Sequence, residues 1–392
     1  MRTIIFMLIT LLFLVSACDE KELEPISGSL GKPGMVTKIQ TEPVSGGVRI
    51  TYRIPEAEDI LAVKGVYILS NGKTYEATTS FYENKLEIAG YNDTLEHMAE
   101  VFAINRAQET SDPVSVSFTP LESSLSKVSK TMEIISAFGG AQFSWLNPDN
   151  APLTFEFIAQ DSVGDLRTMK IITSEADTMK QSLRGYQPEP RVFATIVRDN
   201  WSNASDTIFP PGKTILPLFE EKLDKGKMSI MDLGSDASFT NWEGADAYLI
   251  DDVYTNFGHS ANSSLPAAFT IDLGVTAKLS RVVMYQRDNY VYAWGNPKNF
   301  EVYGSETRPS QDGNWDDWTK IMNCTIIKPS GSPVGTNTDE DVAALKAGHE
   351  FSFDLDQEPL RYIRIRILDT WGGSTFTHPA EVTLYGEVVS EE

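Results

Sequence analysis

The sequence predicts an all-β protein: two tandem β-sandwiches followed by a third sandwich of the jelly-roll class. Three observations carry this. Apolar residues alternate with period two over short runs bounded by Gly, Pro, Asn and Asp. One such pattern recurs 93 residues further along the chain. From about residue 219 the composition changes, and five of the seven tryptophans (242, 294, 315, 318 and 371) lie beyond that point. Beyond residue 219 no long amphipathic helical pattern competes with the strand reading.

Near its start the sequence carries Arg2, then the apolar run IIFMLITLLFLV (4–15) and then Ser16-Ala17-Cys18. A charged residue, an apolar stretch and small residues before a cleavage point make a signal peptide over 1–17. The apolar run is too short for a stable transmembrane helix. Val15-Ser16-Ala17-Cys18 resembles a bacterial lipobox. That resemblance implies cleavage before Cys18, diacylglycerol on its thiol and acylation of the new N-terminus. Several acyl chains at about 0.8 kcal/mol per buried CH₂ give near-permanent anchoring. Residues 18–32 read as an acidic flexible tether. Its opening Asp19-Glu20-Lys21-Glu22 resembles the surface-export signal of Bacteroidetes lipoproteins, which implies an outer-membrane protein facing the cell exterior.

The first module spans 33–120 and the second 121–218. Gly46-Gly47-Val48-Arg49-Ile50-Thr51-Tyr52-Arg53-Ile54-Pro55 is matched by Gly139-Gly140-Ala141-Gln142-Phe143-Ser144-Trp145-Leu146-Asn147-Pro148. Each is a Gly-Gly turn, an alternating strand and a terminating Pro. VFAINRAQETSDPVSVSFTP (101–120) likewise parallels FATIVRDNWSNASDTIFPP (193–211). A period of about 90 residues with several short strands resembles fibronectin type III or immunoglobulin-like modules. Tyr52 and Trp145 occupy equivalent strand positions and read as core aromatics. Trp201 lies in a turn and is expected to pack against that turn.

Charge and motifs narrow the function classes. The net charge is −22, spread along the whole chain, and such a field repels phosphate backbones; nucleic acid is not a partner. Two cysteines 306 residues apart make no disulfide framework. The four histidines lack metal-ligand spacing, and no HExxH, CxxC or phosphate-binding glycine loop occurs.

The third domain, 219–392, carries six strand-like runs: AAFTIDLG (267–274), SRVVMYQR (280–287), KNFEVYGS (298–305), HEFSFDL (349–355), RYIRIRIL (361–368) and AEVTLYGE (380–387). Phe269, Ile271 and Leu273 alternate, as do Ile363, Ile365 and Ile367, with Arg364 and Arg366 on the opposite face. Asp312-Gly313 marks a hairpin. In DGNWDDWTK, Trp318 reads as core, while Asp316 and Asp317 read as a solvated tip rather than an acid/base pair.

Several of these motifs in one order resemble the discoidin domain, also called the coagulation-factor C-type (F5/8 type C) or galactose-binding-like domain. They are Asp251-Asp252, Ile271-Asp272-Leu273-Gly274, Gly295-Asn296-Pro297-Lys298 with Phe300 to Ser305, Trp318-Thr319, Arg361 to Arg366 and Ala380 to Gly386. The whole arrangement resembles Bacteroidetes surface lipoproteins linked to polysaccharide-utilisation systems. The resemblance implies glycan binding and a transporter complex of the same system as partner. It also implies a structural calcium ion, for which the matching positions are Asp251 and Glu381, with Asp252 and Asn256 as further oxygens. Here the loop departs from the family pattern: Asp252 stands for the usual Gly, Asn256 for the usual Thr and Gly258 for the usual Trp.

A sugar site needs an aromatic face and a few planar hydrogen-bonding groups. Three loops offer them. One carries Arg287, Asn289, Tyr290, Tyr292 and Trp294; a second Tyr254, Phe257 and His259; a third Asp369, Trp371 and His378. The alternation of Tyr290, Tyr292 and Trp294 also fits core positions on the face of Val282, Met284 and Gln286, if that strand runs on. At least one of the three is therefore expected inside. Trp294, directly before the Gly295-Asn296-Pro297 turn, is the one expected outside. The function expected is non-catalytic carbohydrate binding through these loops. The alternatives are an adhesion or assembly protein that binds another protein and, remotely, a glycoside hydrolase.

Overall fold

The computed structural model describes residues 30–391. The signal peptide, Cys18 and most of the acidic tether lie outside them. Among the described residues no helix is long and apolar enough to cross a membrane. The chain is all-β and divides into two compact units. The first runs to Ile134 and includes Phe143–Gln181 and Phe193–Pro210; the second holds Ile135–Gln142, Ser182–Val192 and the chain from Pro211 on.

The first repeat has seven strands: β1 (Thr37–Val44), β2 (Gly47–Arg53), β3 (Ile60–Ile68), β4 (Thr74–Ser80), β5 (Lys85–Ala89), β6 (His97–Asn105) and β7 (Val114–Phe118). They form two antiparallel sheets, β1-β2-β5 and β4-β3-β6-β7. Val48, Ile50 and Tyr52 face a core with Val63, Ile88 and Val101. The Gly-Gly pair has a steric cause. Gly46 sits at φ +63°, and a Cβ on Gly47 would lie 1.9 Å from the Ile88 carbonyl oxygen. The second repeat repeats the device: Gly139 has φ +65°, and a Cβ on Gly140 would lie 1.9 Å from the Leu183 oxygen.

A helix over Ser124–Thr131, capped by Ser123, opens the second repeat. Its strands are β8 (Glu133–Ala137), β9 (Gly140–Leu146), β10 (Leu153–Gln160), β11 (Leu166–Ser174), β12 (Thr178–Leu183), β13 (Arg191–Arg198) and β14 (Thr214–Ile215), in the orders β11-β10-β13-β14 and β12-β9-β8. Trp145 is buried and stacks on Phe155 at 4.0 Å. Trp201 does more than pack on its own turn. Its ring joins the core of the first repeat and lies where a Cβ on Gly90 would be, 2.7 Å away.

The third domain contains β15 (Glu221–Lys222), β16 (Ser229–Met231), β17 (Ala267–Gln286), β18 (Pro297–Ser305), β19 (Thr319–Thr325), β20 (His349–Ser352), β21 (Leu360–Thr370) and β22 (Pro379–Ser390). The order is β15-β22-β17-β21-β18-β19, with β16 and β20 also paired to β17. The two runs expected as separate strands, 267–274 and 280–287, are one 20-residue strand. Its first part pairs with β21 through Asp272, and its later part pairs with β22 from Thr276 to Gln286. The shift between them falls at Gly274, at φ +70°, whose missing Cβ leaves room for the Lys227 carbonyl. The core is built from Phe269, Ile271, Val282, Ile363, Ile365 and Val382 with their neighbours.

Arg364 lies on the face opposite Ile363 and Ile365, as expected, but is fully buried. It donates to Asp236 Oδ1 at 2.6 and 2.9 Å and to the Gly313 oxygen at 3.0 Å, beneath Trp315 at 3.9 Å. The acidic pair Asp316–Asp317 sits in a 3₁₀ turn, where Asp317 accepts from the Ser310 amide rather than facing its neighbour. A helix over Asp339–Ala347 starts with a Thr338/Asp341 capping box. Four amide and hydroxyl donors hold the Asp341 carboxyl down at about 2 against the effect of its burial.

Candidate functional site: an aromatic cleft on the loops of the third domain

β17 ends at Gln286, so the alternation does not run on to Trp294. The chain turns instead, and Asn296 holds the turn. Its fully buried side chain accepts from the Arg287 amide at 2.9 Å and donates to the oxygens of Arg287 and Tyr290 at 2.9 and 2.6 Å. The Gly295-Asn296-Pro297 motif thus shapes the loop before it as well as ending it. Tyr292 and Trp294 both have positive φ, +43° and +49°. Non-glycine residues there are uncommon, and such strain clusters at ligand sites. The effect is to send neighbouring aromatics opposite ways. Tyr292 is fully buried, while Trp294 is 44% exposed.

Trp294 lines a cleft of about 440 Å³ with Trp242, Phe257, Arg287, Tyr290 and Phe376. His259, Asn262 and Glu243 supply its polar groups. The rings form a continuous arc. Trp242 is 6.3 Å from His259, His259 stacks on Phe376 at 4.8 Å, Phe376 is 5.7 Å from Trp294, and Trp294 meets Tyr290 at 4.5 Å. Trp242 is 80% exposed at φ +55°. Its loop is held by reciprocal backbone bonds, Asn241 N–H to the His259 oxygen at 3.0 Å and His259 N–H to the Phe239 oxygen at 2.7 Å.

Electrostatics give each polar group a defined role. The Arg287 guanidinium lies 3.6 Å above Phe257 and 5.0 Å from Tyr290, and it has no ion pair among the described residues. His259 Nδ1 donates to the Ser260 oxygen at 2.8 Å, leaving Nε2 as an acceptor. Burial, and then the nearby Arg287, push its pKa below the usual range, so the ring is neutral. Glu243 is exposed on the same cleft and is the one carboxylate among its lining residues.

The remaining candidates lie elsewhere. Tyr292 belongs to the core, edge-on to Trp371 at 5.1 Å, and burial pushes its hydroxyl up to about 12. Trp371 packs behind the loop and does not line the cleft. The reason is Gly372, which closes on the Trp294 backbone; its N–H donates to the Trp294 oxygen at 2.8 Å. Asn289 is exposed at the loop tip, off the cleft. Tyr254 packs on Tyr285 at 4.5 Å. Asp369 accepts from Asn299. His378 is fully buried beneath the cleft, its Nε2 accepting from the Gly295 amide at 3.1 Å, and burial drives its pKa down to about 3. Sequence reasoning missed Trp242, Glu243, Asn262 and Phe376 as lining residues. Asn241-Trp242-Glu243-Gly244, a turn with an aromatic at its tip, was the available signal.

The residues expected to hold calcium do not fit that ion. Glu381 is fully buried, and the Lys225 ammonium bonds its Oε1 and the Val382 oxygen, while the Asp252 amide donates to its Oε2 at 3.1 Å. Asp251 accepts from the Val253 amide and from Asn256 Nδ2, and Asp252 pairs with Lys222 at 2.6 Å. Asn256 Oδ1 is a buried oxygen without a partner, far short of the six to eight that calcium takes. Among the described residues no group of three or more His, Cys, Asp or Glu side chains is placed to hold a metal ion.

Three family models match the chain. Each is described as a domain of unknown function: DUF4959 over residues 33–120, DUF5126 over 121–226 and DUF5000 over 247–386. Among solved structures, a SusE-like protein is 33% identical over 67% of this chain and 98% of that one, with a TM-score of 0.44. The CBM32-3 module from a family 31 glycoside hydrolase of Clostridium perfringens is 17% identical over 42% of this chain and 95% of its own, TM-score 0.31. A segment of two fibronectin type III domains from chicken tenascin is 13% identical over 44% and 96%, TM-score 0.22. No curated protein matches the chain.

Proposed function

We propose that this chain is a SusE-like, non-catalytic carbohydrate-binding protein of a polysaccharide-utilisation system, lipid-anchored through Cys18 and displayed at the cell surface. Its discoidin-like third domain binds the glycan, and the two fibronectin-like repeats carry that domain. The cleft is the observation that supports this reading. It combines aromatic faces with a small set of polar groups: a guanidinium donor without an ion pair, a carboxylate, an amide and a neutral imidazole acceptor. Apolar C–H faces of a sugar ring pack on aromatic rings, and its hydroxyls need such fixed donors and acceptors. A transporter complex of the same system is the partner this reading implies.

Catalysis is a poorer fit. Glycoside hydrolysis commonly uses two carboxylates flanking the scissile bond, and Glu243 stands alone among the lining residues. A flat protein-binding face is likewise poorly matched by a concave site with Trp242 and Trp294 on its walls.

Affinity electrophoresis and titration calorimetry against a panel of polysaccharides test the proposal. Retention by at least one glycan is expected. Trp242→Ala and Trp294→Ala should each weaken it about 30-fold, the loss typical of an aromatic anchor. Tyr82→Ala, at an 85% exposed position of the first repeat, serves as control. Unchanged retention in the double tryptophan variant, or no retention by any glycan, rejects the proposal.

A further inference from the structure

We infer that the Lys225 ammonium is the resident cation of the third domain, supplied by the chain itself in place of a divalent ion, and that it fixes the cleft wall without calcium. Three parts of the domain meet at this group. Lys225 opens the short turn Lys225–Lys227 near the start of the domain. Glu381 lies in β22, three residues after His378. Asp252 belongs to the loop that runs on into Phe257 and His259 of the cleft.

The bonding set is closed around one positive charge. The Lys225 side chain is 9% exposed and that of Glu381 is 0% exposed. The ammonium bonds one carboxylate oxygen and the adjacent backbone oxygen of β22. The second carboxylate oxygen takes the Asp252 amide, so the loop is tied to the strand through the same anion. Further along the same loop, the Gly258 amide donates to the Pro379 oxygen at 2.9 Å and continues the seam. A divalent ion at Glu381 would have to displace a buried ammonium, and the two cations would repel one another across a low-dielectric gap. A buried carboxylate that has lost its only cation is costly, which makes Lys225 necessary to the seam.

The test is independent of any glycan, so its failure is distinct from failure of the binding proposal. Thermal unfolding of the full chain is followed in excess EGTA and in millimolar CaCl₂, with hydrogen exchange of residues 250–259. The wild-type melting temperature should agree within about 1 °C between the two, and calorimetry with CaCl₂ alone should show no stoichiometric uptake. Lys225→Met should lower the melting temperature by about 5 °C or more and speed exchange at Asp252 and Gly258. If that variant does not fold, Glu381→Gln, which keeps the shape and removes the anion, should show the faster exchange. A wild-type melting temperature raised several degrees by calcium overturns the inference, as does a Lys225→Met protein that melts and exchanges like the wild type.

Discussion

Gly295 and His378 are bonded to each other twice. The Gly295 amide donates to His378 Nε2 at 3.1 Å, and the His378 amide donates to the Gly295 oxygen at 2.9 Å. This ties the loop that carries Trp294 to the start of the last strand. A Cβ on Gly295 would lie 2.6–2.9 Å from the His378 and Phe376 rings. Gly295→Ala should therefore cost about 1–3 kcal/mol in urea unfolding and weaken glycan retention, because both rings must shift.

The same pair sets a pH dependence. His378 has a folded pKa of about 3, below the ordinary 6.5, because burial disfavours the charged ring and Arg287 adds to the effect. The unfolded chain binds the proton first as pH falls. The stabilisation is complete above about 6.5 and declines below it, by about 2 kcal/mol at pH 5. Denaturant melts at pH 7 and pH 5 should show this loss, and His378→Gln, which retains an acceptor, should show about 2 kcal/mol less of it.

Two tryptophans should separate binding from stability. Trp242→Ala, at an exposed tip, should leave the melting temperature within about 1 °C and weaken retention on an affinity gel by the same roughly 30-fold. Trp371→Ala, packed edge-on to buried Tyr292, should cost about 3–5 kcal/mol in stability before any effect on the cleft.

Glu220 is a charged hub whose side chain is 9% exposed. It accepts from Arg184 at 2.9 Å, Arg281 at 3.3 Å and Ser280 at 2.6 Å. Glu220→Ala leaves two guanidinium groups facing each other with less than their full complement of acceptors. A loss of about 3–5 kcal/mol in chemical denaturation is expected, while Arg281→Ala should cost less, because Glu220 keeps Arg184.

The strands were legible where one face is buried and the alternation is clean, as for Phe269 to Leu273 or Val48 to Tyr52. The join of two runs into β17 was hidden, because Gly274 reads as a turn residue and acts here as a bend inside one strand. Periodicity could not sort Tyr290, Tyr292 and Trp294, since positive φ at the last two breaks the rule that alternate residues share a face. Trp242 carries no periodic signal at all, and only the fold brings it to His259. Lys225 and Glu381 stand 156 positions apart, and their pairing is a property of the closed sheet.

Trp201 wedged over Gly90 has a mechanical consequence. The Asn203 amide also donates to the Gly90 oxygen at 2.8 Å, and Lys127 spans Ser45 and Asp149 at 2.7 and 2.9 Å. Within the first compact unit the seam between the repeats is therefore a welded joint rather than a swivel. A string of modules free at every seam loses configurational freedom whenever its tip is held by a ligand. One frozen seam shortens that list of freedoms in advance, so less of it is left to lose when a ligand holds the chain.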